Sequence, residues 1–223
     1  MNSFRFIDSD PAFSPVATSK QIPAFIGGTR IFWVAKHVFD IILSILLLPA
    51  LLISAVCLIV LNPFWNPGPL IYKQKRMGKN CNPFIAYKFR SMRPISKLER
   101  GLEDPIEHDR ITIAGRFLRK SRIDELPQLI NVLIGDMSLI GPRPDYYEHA
   151  QEFCMTVPNY RSRYSVRPGI SGLAQVRLGY IEGTAGTYAK TAVDLEYLKN
   201  ASIRQDTALF FETIRCVALR AGA

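Results

Sequence analysis

Hydrophobic and polar positions fall into three unequal stretches. Residues 1–30 carry Pro11, Pro15, Pro23 and the pair Gly27-Gly28 with little periodicity, and read as a loosely ordered arm. The stretch 31–37 mixes Phe32 and Trp33 with Lys36 and His37, a composition suited to a membrane interface. Residues 41–61 then run without a single charge. As a helix this run would be about 30 Å long, the thickness of a bilayer's hydrocarbon core. Pro49 interrupts it and predicts a break or kink, because proline removes a backbone hydrogen bond. Arg30 and Lys36 lie before the run and Lys73, Lys75, Arg76 and Lys79 after it. Basic flanks favour the cytoplasmic side, so the pattern predicts a re-entrant segment over 31–62 that enters one leaflet and returns. A Pro-kinked single span with a short outside arm is the alternative.

Beyond Pro67-Gly68-Pro69 the pattern changes to that of an ordinary globular chain, and 63–223 reads as one cytoplasmic domain. Residues 70–74 and 84–89 are short, aromatic and β-branched, with a turn near Met77-Gly78-Lys79-Asn80 between them. They predict a β-hairpin. Mixed charges over 94–109 predict an exposed loop. Helical spacing returns over 113–118, 127–134, 145–155, 189–198 and 206–219. The last of these has Leu209, Phe210, Ile214 and Val217 on one side, a face for the core or a membrane surface. The expected fold is α+β, predominantly helical, with a re-entrant membrane helix broken at Pro49, a small β-hairpin and interfacial amphipathic helices.

Charge sharpens this picture. The formal net charge of +9 calls for acidic partners. No DNA- or RNA-binding motif is present, so nucleic acid is not the expected partner. Cys57, Cys81, Cys154 and Cys216 lack metal-ligand spacing, the histidines are scattered, and the start has no signal-peptide pattern. The bases are clustered: Lys73, Lys75, Arg76, Lys79, Lys88, Arg90 and Arg93 with no acid among them, then Arg110, Arg116, Arg119, Lys120 and Arg122. Such clusters beside a membrane segment grip anionic headgroups, at about 1 kcal/mol per base, or bind phosphate. A tethered lipid-binding module without catalysis would also explain them.

The second cluster runs into Asp124 and Glu125 ahead of Pro127. Neighbouring cations and a helix N-terminus favour the ionised carboxylate. An ionised Asp124 is a competent nucleophile toward phosphorus, and Glu125 a ligand for a divalent cation. The plainer reading is structural, since Ser121 to Asp124 has capping-box spacing. Arg143 stands between Pro142 and Pro144, and Arg167 opens Arg167-Pro168-Gly169, so both are pre-set for phosphate.

In order and spacing the chain resembles the bacterial sugar transferase family, small monotopic polyprenyl-phosphate phosphoglycosyl transferases that begin exopolysaccharide assembly. The resemblance rests on Asp40 at the start of the membrane segment, Gln74-Lys75-Arg76-Met77-Gly78, Tyr87-Lys88-Phe89-Arg90-Ser91-Met92, Asp124-Glu125-Leu126-Pro127-Gln128, residues 135–144, and residues 167–176. It implies transfer of a hexose 1-phosphate from a nucleotide sugar, UDP-linked by expectation, to polyprenyl (undecaprenyl) phosphate, with release of nucleoside monophosphate. It implies Asp124 as the nucleophile of a covalent phosphosugar intermediate and Glu125 as a Mg²⁺ ligand. Lys88, Arg90, Arg119, Arg143 and Arg167 become donor, phosphate or carrier contacts. It also implies a monotopic place in the bacterial inner membrane among its lipids, with the catalytic domain facing the cytoplasm. A homo-oligomer is left open. Two departures stand out: Leu48-Pro49 replaces the family's Ser-Pro break, and Arg177-Leu178-Gly179-Tyr180 replaces an Asn-Gly-Arg-like turn, which leaves sugar choice open.

Overall fold

The computed structural model describes residues 26–93, 101, 107–179, 181 and 183–218. The arm expected over 1–30 therefore lies mostly outside the described residues, as does most of the loop expected over 94–109.

Helix α1 spans Arg30–Trp65. Thr29 caps it by accepting the Phe32 N–H at 3.1 Å, which satisfies one of the donors every helix start leaves free. The helix runs on through Pro49 and Pro63, and the turn-back expected at Pro49 is not seen. Pro49 lies on the exposed side, while Leu47 and Leu51 on either side of it pack against the core. That packing spans the one missing hydrogen bond and holds the helix together across it.

The half-buried positions of α1 recur at helical spacing along its length. Leu43, Leu47 and Leu51 join a cluster built on Leu129, Val132, Met137, Leu139 and Ile140. Farther on, Leu58, Leu61 and Asn62 line a crevice with Ala114 and Leu118. The opposite face, including Leu46, Ile53, Ile59 and Val60, is bare. Polar ties fix both ends. Lys36 pairs with Asp206 at 2.6 Å, and buried Asp40 accepts from Ser138 Oγ at 2.7 Å and the Leu139 N–H at 3.2 Å. At the far end Asn66 donates to the Arg90 carbonyl at 2.7 Å.

Strands β1 (Ile71–Met77) and β2 (Pro83–Phe89) form the expected antiparallel hairpin, Ile71 opposite Phe89 and Met77 opposite Pro83. Its turn places Asn80 and Cys81 at positive φ. The free edge of β2 is closed by a side chain. Asn131, fully buried on α3 (Gln128–Leu133), accepts from the Tyr87 N–H at 3.1 Å and donates to the Ile85 carbonyl at 2.7 Å. A carboxamide has one acceptor and two donors, so it stands in for a third strand at this point.

Helix α2 (Ile113–Ser121) is capped by Thr112, which accepts the Gly115 N–H at 2.9 Å. Its outer face shows Ile113, 88% exposed, and Phe117 beside Arg116 and Lys120. Two three-residue strands, β3 (Ser138–Ile140) and β4 (Gly169–Ser171), pair in parallel; both lie in segments that the sequence presents as rigid turns. Their contact is tight because it is made by glycines: a Cβ on Gly169 would meet the Gly141 nitrogen at 2.2 Å.

Helix α4 (Tyr147–Thr156) and the turn Tyr160–Ser165 enclose a second cluster of Met77, Tyr147, Phe153, Tyr160 and Tyr164. Helices α5 (Leu173–Leu178), α6 (Gly183–Lys199) and α7 (Ile203–Ala218) complete the fold. Leu209 of α7 is in the core, whereas Phe211 and Ile214 are exposed. Phe210 meets Phe39 of α1 edge to face, with ring centroids 6.2 Å apart.

Candidate active site

The acid pair is presented by an abrupt change of direction. Helix α2 ends when Arg122 takes a left-handed conformation, φ 58° and ψ 12°. A single turn, Ile123–Glu125, follows and leads directly into α3. A non-glycine residue in this region carries a conformational cost of about 1 kcal/mol or more, which the surrounding contacts must offset. Ser121 does not act as the N-terminal cap its spacing suggests. Its hydroxyl donates backward to the carbonyls of Phe117 and Leu118 at 2.9 and 3.1 Å, as a residue closing a helix does.

Asp124 and Glu125 are both buried, each 7% exposed, and their surroundings set them apart. Glu125 collects the cations. Its Oε1 accepts from Lys88 Nζ at 3.2 Å and from Arg143 Nη2, and lies 3.7 Å from Arg122 Nη1; its Oε2 accepts from Arg143 Nη1 at 3.2 Å. Burial pushes the Glu125 carboxyl up, but Arg143, Lys88 and Arg122 outweigh it and hold the group well below the usual carboxylate range.

Asp124 has the opposite balance. Its Oδ1 is buried with no hydrogen-bond partner among the described residues. Burial first, and the neighbouring Glu125 charge second, raise its carboxyl to about 6 against the pull of Lys88, Arg119 and Arg143. The cations next to the dyad thus pair with Glu125, and Asp124 is left under-compensated rather than favoured as the sequence suggests. At pH 7 a group with that pKa is still about nine-tenths ionised. A buried carboxylate with an open lone pair and few competing hydrogen bonds has the character of a nucleophile. Lys88 is drawn down to about 8, by burial chiefly, with Glu125 opposing.

Of the residues expected at the site, Lys88 and Arg143 meet Glu125 directly and act on the adjoining Asp124 by charge. Arg119 stands close enough to act on Asp124 by charge, and its Nη1 lies 3.8 Å from Met92 Sδ. Arg122 belongs with them; the sequence placed it in a basic cluster without separating it from its neighbours. Arg90 does not join the cluster. Its guanidinium holds the foot of α1, donating to the Pro69 carbonyl at 2.7 Å, Asn66 Oδ1 at 3.1 Å, the Met92 carbonyl at 3.2 Å and the Asn66 carbonyl. Arg167 is also elsewhere, donating to His37 Nδ1 at 2.6 Å near the start of α1. Neither contact is legible in a local motif, since the partners are 24 and 130 residues away.

The acid pair also sets what a metal would find. Among the described residues no group of three or more His, Cys, Asp or Glu side chains could hold an ion. Magnesium is commonly bound through one or two carboxylates, with substrate phosphates and water completing the shell. The open Asp124 Oδ1 fits that limited role, while Glu125 would have to release a cation from one of its two occupied oxygens; a cage made by protein alone is not present among the described residues.

The family model described as bacterial sugar transferase matches residues 31–220. A UDP-N-acetylgalactosamine-undecaprenyl-phosphate N-acetylgalactosaminephosphotransferase of Aeromonas hydrophila is 41% identical over 84% of this chain and 44% of its own length. The exopolysaccharide production protein PSS of Rhizobium leguminosarum bv. phaseoli is 40% identical over 81% of this chain and 94% of its own. A UDP-glucose:undecaprenyl-phosphate glucose-1-phosphate transferase of Escherichia coli K12 is 36% identical over 80% and 39%. The chain thus spans less than half the length of some relatives and nearly all of another. With the match running from the first turn of α1 into the last residues of the chain, the protein belongs to the bacterial sugar transferase family.

Proposed function

We propose that the chain transfers a hexose 1-phosphate from a UDP-sugar to undecaprenyl phosphate, through a phosphosugar held covalently on Asp124. The observation that carries this reading is the buried Asp124 Oδ1, without a hydrogen-bond partner among the described residues, beside a glutamate that gathers three cations. The names of the relatives supply the substrate classes.

In the first step an Asp124 oxygen attacks the sugar-linked phosphorus, and the bond from that phosphorus to the bridging oxygen breaks. Uridine monophosphate leaves with the electron pair. In the second step a phosphate oxygen of the lipid attacks the same phosphorus and Asp124 departs as carboxylate. Both displacements are in line, and both bring anions together, so positioned cations contribute most of the catalysis. Arg119, Arg143 and Lys88 are placed for that work. Magnesium held with the diphosphate at Glu125 would supply further charge neutralisation. Separating the two steps lets a soluble donor and a lipid acceptor use one nucleophile in turn.

The same reading places α1 within one leaflet and the domain on the cytoplasmic side of the inner membrane. What supports it is that α1 is tied at both ends to the same domain, by Lys36 and Asp40 at one end and Asn66 at the other. The exposed apolar residues of α1, Ile113 and Phe117 of α2, and Phe211 and Ile214 of α7 would face lipid.

Purified protein mixed with UDP-sugar and no lipid should release about one equivalent of uridine monophosphate and retain sugar phosphate. Chelation of divalent cations should abolish the release. Full turnover by Asp124→Asn would defeat the covalent route. Labelling of single cysteines placed near residues 30 and 75 from opposite faces of the membrane would defeat the one-leaflet placement.

A further inference from the structure

Arg143 is aimed by a backbone that cannot hold itself. Pro142 and Pro144 have no N–H, so the segment around Arg143 must be fixed largely through its carbonyls. Each carbonyl from 142 to 145 has a partner. Pro142 accepts from the Gly169 N–H at 2.9 Å, Arg143 from Arg163 Nη2 at 3.0 Å, Pro144 from Arg76 Nη1, and Asp145 from the Met77 N–H at 3.2 Å. Two of the four are arginine side chains, and the two differ in character. Arg163 is 1% exposed and is locked to Asp194 at 2.8 Å and Asp145 at 2.6 Å, so it belongs to the core. Arg76 is half-buried on β1, beside its isolated bridge to Tyr146.

The guanidinium of Arg76 is itself oriented. Its Nε and Nη2 both donate to Gln74 Oε1, at 3.0 and 2.6 Å. Residues two apart on a strand share a face, which explains why the glutamine and arginine of Gln74-Lys75-Arg76 need that spacing. With two nitrogens on Gln74, the third is directed at Pro144. We propose that Arg76, oriented by Gln74, is a positioning residue for Arg143: it fixes the Pro144 carbonyl and thereby keeps the Arg143 guanidinium on Glu125. This rests on the reading of the Asp124 and Glu125 site as the transfer site.

The test uses the full chain in lipid nanodiscs, with undecaprenyl phosphate and whichever of UDP-glucose and UDP-N-acetylgalactosamine the wild type turns over. Arg76→Met should lower kcat by on the order of 30- to 100-fold, as misplacement of a catalytic group by about 1 Å does. KM for the UDP-sugar should move less than about 3-fold. In an Arg143→Ala background Arg76→Met should cost less than about 2-fold more, because the two act as one unit. Arg76→Lys, which keeps the charge and a single donor nitrogen in place of the fork, should recover part of the rate. Independently of activity, hydrogen exchange of the peptide covering residues 141–147 should quicken in Arg76→Met at an unchanged unfolding midpoint. Additive losses, or exchange equal to wild type, would overturn the proposal. Full activity of Asp124→Asn, or no turnover by wild type, would count against the transfer reading instead, and the exchange result would still decide the clamp.

Discussion

Replacing Asp124 with asparagine should make the protein inactive and more stable. The carboxyl is 7% exposed and its pKa stands at about 6, against 3.8 for an unperturbed aspartate. Burial is the first cause and the Glu125 charge the second. A difference of about 2 units at roughly 1.4 kcal/mol each makes the ionised group cost about 3 kcal/mol in the folded state. The pH dependence follows from the raised value. Below pH 3.8 both folded and unfolded chains carry the proton, and the cost is absent. It grows as pH rises and is complete above about 6. Asp124→Asn removes the charge at every pH, so its advantage should be about 0.5 kcal/mol at pH 4 and about 3 kcal/mol at pH 7.5. For a chain of this size that is roughly 6–12 °C in unfolding temperature. Thermal unfolding of both proteins in the same detergent at the two pH values measures it. An Asp124→Asn protein that is less stable at pH 7.5, or whose advantage is equal at both pH values, would refute the account of an under-compensated nucleophile.

Turnover should rise through pH 6 as Asp124 ionises and fall above pH 8 as Lys88 loses its proton; a rate that is flat from pH 5 to 9 would contradict both assignments. Gly115→Ala would place a Cβ 1.8 Å from the Ser91 carbonyl oxygen, so α2 must shift. We expect a loss of about 1–3 kcal/mol in stability and of tenfold or more in kcat, since α2 carries Arg119 and leads into the acid turn; both are read from unfolding midpoints and initial rates. Asn131→Ala leaves the Tyr87 N–H and the Ile85 carbonyl without their partner and should cost roughly 3 kcal/mol in denaturant unfolding. Asn131→Asp should not restore it, because a carboxylate can accept from Tyr87 but cannot donate to Ile85.

The parts of this molecule that were legible in its sequence are those with a long or repeated pattern. The uncharged run predicts α1, and two aromatic stretches around a turn predict the hairpin. Adjacent acids after a basic cluster mark the site. The parallel pair β3–β4 has no signature in the sequence, because three residues are too few to show a period. The division of labour between Asp124 and Glu125 was not legible either, since it depends on cations from three separate elements converging on one carboxylate. Arg90 and Arg167 read as phosphate ligands by motif, yet their guanidiniums bind groups at the two ends of α1. A motif marks a residue as special without saying what it touches.

The lengthwise attachment of α1 ties water solubility to folding. Leu43, Leu47 and Leu51 are the outer wall for Leu129 and Val132, and Asp40 completes the bonding of Ser138 and Leu139. A variant trimmed of its greasy helix would therefore not be a detached soluble catalyst. It would be a domain with an open side, missing wall and buried bonds together, and its acid turn would lose the support beneath α3.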